Sequence, residues 1–188
     1  MTEFLGAGAG QNACEVTGLT AVAEEVIAVR PELVWDLVAD VTQIGRWSPE
    51  CIRAAWTGEP GQPRPGARFT GRNRFPNGFE YEVTCVVTEA DRPRAFAWVV
   101  LDDSGDLGRP SSSWRYRIDP LPGGSRVRQR FTHGPGNSFL RETAATAPDR
   151  AAGIIAARRD WLRANMIATL RAMKAVAESS HATGAGPG

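Results

Sequence analysis

The stretch Arg30–Glu50, "RPELVWDLVADVTQIGRWSPE", decides the fold, because it carries two short helices in succession between segments that read as strands. Pro31 suits the first turn of a helix, where its missing N–H costs nothing, and Glu32 complements the positive end of the helix dipole. Val34, Leu37, Val38 and Val41 recur at helical spacing and define one buried face of about two turns. Arg30 is a poor N-cap, which leaves the first residue of this helix open. Asp40 followed by Gln43 has the form of a capping box, so a second short helix is expected to begin where the first ends. Gly45 and Pro49 stop it, and Trp35 and Trp47 are its large anchors. Two short helices at an angle imply a body that they close.

Working outward, "LTAVAEEVIAV" (19–29) reads as a strand. Six further strands are expected at 50–56, 67–75, 79–89, 94–101, 113–119 and 125–133. The separators are short and dense in Pro, Gly, Asn and Asp, as hairpin connections require. Alternation then assigns the faces. Phe79, Tyr81, Val83, Cys85 and Val87 oppose Glu80, Glu82 and Thr84; Trp114, Tyr116 and Ile118 oppose Arg115 and Arg117. Val127, Gln129, Phe131 and His133 likewise oppose Arg126, Arg128 and Arg130. One face is apolar and the other charged, so the sheet is covered on one side only. The cover is a helix from Pro148 to about Glu178, roughly 45 Å long at about 1.5 Å per residue. Its apolar seam is Ile155, Leu162, Met166, Leu170, Met173 and Ala177, and Arg158, Arg159, Arg163, Arg171 and Lys174 are expected to be mainly solvated.

Composition narrows the function classes. The 188 residues suit one domain, and 42% hydrophobic with 23% charged residues is ordinary globular material. A net charge of +1 gives no electrostatic footprint for nucleic acid. No apolar run approaches the ~20 residues of a membrane span, and the basic start of a secretory signal is missing, so a cytoplasmic protein without membrane insertion is expected. Cys14, Cys51 and Cys85 form neither a disulfide framework nor a CxxC metal set and are read as reduced structural thiols. With two His and isolated Cys, no metal or cofactor is expected. The segments 1–18 and 179–188, rich in small residues, are expected to be flexible tails around one domain at 19–178.

The order of elements, with Val34, Trp35, Asp40, Trp47-Ser48-Pro49 and the Pro65-Gly66 entry to a strand, resembles the polyketide cyclase/dehydrase group of the SRPBCC (START-like) superfamily over about Leu19–Glu178. The resemblance implies an α+β helix-grip fold: a curved antiparallel sheet of about seven strands around a long C-terminal helix, with the two short helices closing one end. It also implies a deep cavity for a hydrophobic or aromatic small molecule such as a lipid, isoprenoid or polyketide. Most pockets of this kind are apolar with a few placed polar groups. The inward candidates are Asn73, Tyr81, Tyr116, Gln129 and Asn165, with Trp98, Phe131 and Met166 as apolar wall. Each polar candidate has a bland alternative, a buried group satisfied by its neighbours. His133 is a further inward candidate, but at a strand end it is read as a loop or cap residue. A bulge near Gly71 could turn Arg72 or Arg74 towards the cavity mouth.

The connection 133–148 is long enough to act as a lid, with Phe139 and Leu140 as an apolar flap. No HExxH, G-x-S-x-G or Walker loop is present. Two functions therefore stay open: a binding protein or carrier without chemistry, and a polyketide cyclase, aromatase or dehydratase working by positioning and by acid/base side chains in the same cavity. A protein-interaction module using the charged outer face is a weaker third, since Glu80, Glu82 and Glu89 balance the arginines there. The chain is expected to be a monomer or homodimer.

Overall fold

The computed structural model describes residues 16–58 and 63–184, with side chains to Ser180. Strand β1 (Thr20–Ile27) leads into helix α1 (Pro31–Ala39), a 3₁₀ helix (Val41–Arg46) and strand β2 (Cys51–Thr57). A meander follows, made of β3 (Arg68–Arg74), β4 (Glu80–Asp91), β5 (Ala95–Val100), β6 (Ser112–Leu121) and β7 (Gly124–His133). Helix α2 (Phe139–Thr146), a single 3₁₀ turn (Pro148–Arg150) and helix α3 (Ala151–Gly184) complete the chain.

All seven strands form one antiparallel sheet in the order β1-β7-β6-β5-β4-β3-β2. Strands β1 and β2 are adjacent in sequence yet occupy opposite edges. The Arg30–Glu50 stretch must therefore travel from one edge of the sheet to the other, and this explains its two short helices. The register shifts between Val87 and Glu89 in β4, and between Cys51 and Arg53 in β2. Such irregularities increase twist and help curl a sheet around its cover.

Helix α1 starts at Pro31 behind an Arg30 that makes no side-chain cap, in keeping with its poor fit for that position. Asp40 caps the 3₁₀ helix by accepting from the Thr42 amide at 3.2 Å, but Gln43 does not complete a reciprocal box. Trp35 lies against Phe96 edge to face at 6.2 Å, and its Nε1 donates to the Ala95 carbonyl at 3.0 Å. Cys85, Val87, Tyr116, Ile118, Val127 and Phe131 of the inward sets share the main core with the α3 seam from Leu162 to Ala177, whereas Phe79, expected inward, is exposed just before β4 begins. The outward arginines pair with acids instead: Arg72 and Arg74 both bond Glu80, so neither turns to the cavity. Such exposed pairs contribute little stability.

Two boundaries differ from expectation. Val16 is fully buried in a small cluster with Ala144, Ala151 and Ile155, so packing begins three residues before the expected domain start. Helix α3 continues beyond Glu178 through Gly184, with the Ser179 hydroxyl donating back to the Ala175 carbonyl at 2.7 Å and Ser180 to Val176 at 2.9 Å. The rest of the expected tails, residues 1–15 and 185–188, lies outside the described residues. Among the described residues no helix is long and apolar enough to cross a membrane.

Gly45 is needed where the 3₁₀ helix crosses β2. A Cβ at this position would overlap the Ile52 carbonyl oxygen, a backbone atom that cannot swing aside. Gly45→Ala is expected to lower stability by about 1–3 kcal/mol, the usual range for overpacking, measurable by urea unfolding. An unchanged midpoint would contradict this close crossing.

Candidate functional site

The inward face of helix α3 joins the main core from Leu162 to Ala177, with Leu162, Met166, Leu170 and Met173 almost fully buried. Between the helix from Ile154 to Thr169 and the sheet lies a cavity of about 990 Å³. Ile154, Arg158, Leu162, Asn165, Met166 and Thr169 supply the helix side of this space. The spacing of three, four and seven residues keeps them on one helix face.

All eight residues singled out from the sequence lie on this wall. Trp98, Phe131 and Met166 are buried apolar surface. Trp98 stacks on Trp114 at 6.2 Å and on Tyr116 at 6.0 Å, and Trp114 meets Phe131 edge to face at 4.9 Å. Tyr116 and Gln129 face each other directly across the β6–β7 ladder. Asn73 and Tyr81 are likewise opposed across β3 and β4. Gln129 Oε1 and Asn165 Nδ2 are buried with no hydrogen-bond partner among the described residues.

The outer part of the cavity holds a charged group that residue patterns did not reveal. Arg158, expected to be mainly solvated, is instead largely buried, with its side chain 20% exposed. Its guanidinium donates to both oxygens of Glu50, at 2.7 and 3.2 Å. Tyr81 Oη donates to Glu50 Oε1 at 3.2 Å. Arg158 also lies over the Trp161 ring at 4.5 Å and the Phe75 ring at 5.7 Å. The correction has a geometric cause: Arg158 stands seven residues before Asn165, about two helical turns, and so shares its inward face. Glu50 closes the opening stretch and, with Ile44 and Ser48, is its direct contribution to the cavity wall; Trp35 and Trp47 are core residues.

Burial and the charge of Glu50 push the Tyr81 hydroxyl well above its ordinary pKa, with Arg158 opposing the shift. Burial raises Tyr116 strongly as well. Both phenols are therefore proton donors, not phenolates, near neutrality. Burial also moves the Cys51 thiol up to about 11 and raises Cys85 further, so these wall thiols are poor nucleophiles. Cys14 lies outside the described residues. Among the described residues no cluster of three or more His, Cys, Asp or Glu could hold a metal ion.

Over the entrance, Phe75 and Phe79 from the β3–β4 hairpin meet Phe139 from α2. Phe79 stacks near Tyr81 and touches Phe139 edge to face at 5.6 Å, while Phe139 reaches Tyr81 at 5.2 Å. The segment read as a loop thus contains a helix, α2, whose N-cap is Ser138. The Ser138 hydroxyl oxygen accepts from the Arg141 amide at 3.2 Å. Its proton is free to go to His133 Nε2 at 2.9 Å, while His133 Nδ1 donates to the Gly134 carbonyl at 3.0 Å. His133 is therefore both a wall residue and the support of the α2 cap. On the other rim, Asp102 accepts from the Asn137 amide at 2.8 Å and ties the β5–β6 connection to the same helix start.

Burial lowers the His133 pKa, and Arg141 and Arg158 add to the effect against the Gly134 bond. The native state then holds its proton less tightly than the unfolded chain. The corresponding stability is complete above the unfolded value of about 6.5 and is lost as pH falls through the depressed folded value. Thermal melts are expected to weaken between pH 7.5 and 5.5, and His133→Gln is expected to flatten that slope. Glu80 and Asp102 also have lowered values, but their window opens only below about pH 4.3. An identical slope in the variant would exclude His133 as the source.

A polyketide-cyclase-like protein of Corynebacterium glutamicum, solved in solution, is 28% identical with a TM-score of 0.63, over 92% of this chain and 99% of that one. The di-domain ARO/CYC StfQ of the steffimycin biosynthetic pathway superposes with a TM-score of 0.69 at 14% identity, over 89% of this chain and 53% of that one. A protein of unknown function from Staphylococcus aureus gives 0.62 at 10% identity, over 89% and 98%. The last two likenesses speak for the fold alone. No curated protein matches the chain. The model of the family described as polyketide cyclase / dehydrase and lipid transport matches residues 19–178, and the protein belongs to that family.

Proposed function

We propose that the protein binds an elongated hydrophobic or aromatic small molecule, of lipid, isoprenoid or polyketide type, between the sheet and the first half of α3. The observation that carries this reading is the cavity of about 990 Å³, whose wall combines stacked indoles with polar side chains. Its size lies at the upper end of small-molecule sites, roughly 300–1,000 Å³. Asn73, Tyr81, Tyr116, Gln129 and Asn165 serve as polar contacts, and Trp98, Phe131 and Met166 as apolar wall. The three-ring aromatic ketone 9-fluorenone tests it: saturable quenching of tryptophan emission with one site per chain, and a rise in melting temperature on binding. Absence of both at the solubility limit of the probe would exclude the reading.

A second reading, a cyclase or dehydratase using the same cavity, has one specific observation in its favour. Tyr81 holds a proton beside a carboxylate fixed by Arg158, as an acid/base group beside bound substrate would. Tyr81→Phe separates the two readings. A binding protein changes only in affinity, whereas an enzyme retains its polyketide substrate and loses turnover.

A further inference from the structure

The inner half of the cavity has a polar character different from the outer half. Tyr116 and Gln129 are opposite one another on β6 and β7, and Asn165 and Thr169 are one turn apart on α3. All four line the same space, and none is charged. Gln129 is 5% exposed, and its Oε1 acceptor is unpartnered; the Asn165 Nδ2 donor is buried and unpartnered too. Orphaned buried polar atoms are uncommon in native proteins and costly to keep. Each side-chain amide carries both a donor and an acceptor, so Gln129 from the sheet and Asn165 from the helix together suit a ligand end that brings both.

The charged groups stand elsewhere. Arg158 is the one charged side chain of α3 that lines the cavity among the described residues, and Glu50 holds it. Seven residues separate it from Asn165, about 10 Å along the helix axis. The intervening helix face is Leu162, and the facing wall includes Trp98 and Phe131. A buried site without a countercharge disfavours an ion, because desolvation of the charge goes uncompensated.

From this we infer that Gln129 and Asn165 form a recognition subsite for an uncharged oxygenated end of the ligand, one bearing a hydroxyl donor and a carbonyl or similar acceptor. The ligand reaches inward past Arg158 through an apolar stretch of about 10 Å and presents this end to the two amides. A hydrocarbon chain end placed there leaves both amide atoms unpaired, and a carboxylate, which only accepts, leaves the Gln129 acceptor unpaired and brings a charge without a countercharge, so both bind more weakly. The inference rests on the cavity being a small-molecule site.

Three probes of one shape test it: fluorene, 9-fluorenone and 2-hydroxy-9-fluorenone, with 9-fluorenone-2-carboxylate as the anionic control. Each is titrated by tryptophan quenching against the wild type, Gln129→Leu and Asn165→Leu. The wild type is expected to bind 2-hydroxy-9-fluorenone about tenfold or more tighter than fluorene, and the carboxylate more weakly than the hydroxyl compound. Each leucine variant is expected to lose about tenfold for the hydroxyl compound while keeping its affinity for fluorene. Neither variant should melt below the ligand-free wild type, since an orphaned polar atom is exchanged for apolar surface. Equal affinity for the three neutral probes, a preference unchanged in the variants, or tighter binding of the carboxylate would overturn the subsite and leave the cavity reading intact. A leucine variant that melts lower would make the amides structural and overturn it as well. Binding of none of the probes would remove both readings together.

Discussion

Trp35→Ala is expected to lower stability by about 4 kcal/mol and the melting temperature by about 8–16 °C. Trp35 is 7% exposed and sits where the edge-to-edge crossover meets the middle of the sheet. Its ring packs against the fully buried Phe96, and its indole N–H satisfies the Ala95 carbonyl. Alanine leaves a void on rigid backbone and an unpaired carbonyl at once. Trp35→Phe keeps most of the volume and removes mainly the bond, so a loss of about 1–2 kcal/mol is expected from it. The flanking Arg92–Asp36 pair is about half exposed on both sides and cannot compensate. A shift of less than about 3 °C for the alanine variant would show that the crossover does not depend on this anchor.

Arg158→Met should cost about 3 kcal/mol, or about 6–12 °C. Its effect arises less from losing an attraction than from what remains behind. Glu50 is 11% exposed in its side chain and would keep a charge with Tyr81 as its hydrogen-bond donor. Removing one partner of a buried pair is far more harmful than replacing both. The double variant Glu50→Gln, Arg158→Met is accordingly expected to recover most of the loss. A double variant as unstable as the single would mean that Arg158 stabilises through its contacts with Trp161 and Phe75 instead.

These two residues mark the reach of the sequence. Trp35 stands within a short helix whose proline, apolar spacing and stop signals are all local, so its burial could be read directly. Alternation placed Tyr81, Tyr116, Gln129 and Phe131 on the inward face for the same reason: a strand has only two faces. The seam of α3 gave Met166, and with it Asn165 one position away. Glu50 and Arg158 are 108 residues apart, and each looks like an ordinary surface charge in its own neighbourhood. Their pairing depends on the tilt of α3 and on the path of the crossover, which no local pattern encodes. The face shared by Arg158 and Asn165 was the available signal.

Helix α2 was hidden for a different reason. "SFLRETAAT" is poor in strong apolar periodicity and lies between Gly-Pro-Gly and Ala-Pro, so its composition reads as a loop. Ser138 starts it by capping, and the cap is supported by His133, five residues upstream. The outer face was legible in kind, because alternating Arg and Glu on neighbouring strands form pairs in any register that keeps the apolar face inward.

The cavity between α3 and the sheet is the centre of the account. Native mass spectrometry of the freshly purified protein, followed by organic extraction and by incubation of the emptied chain with 9-fluorenone, tests it most directly. The predicted result is one non-covalent hydrophobic or aromatic molecule per chain, either carried through purification or taken up from solution. A chain that appears only at its bare mass, before and after incubation, would contradict the account.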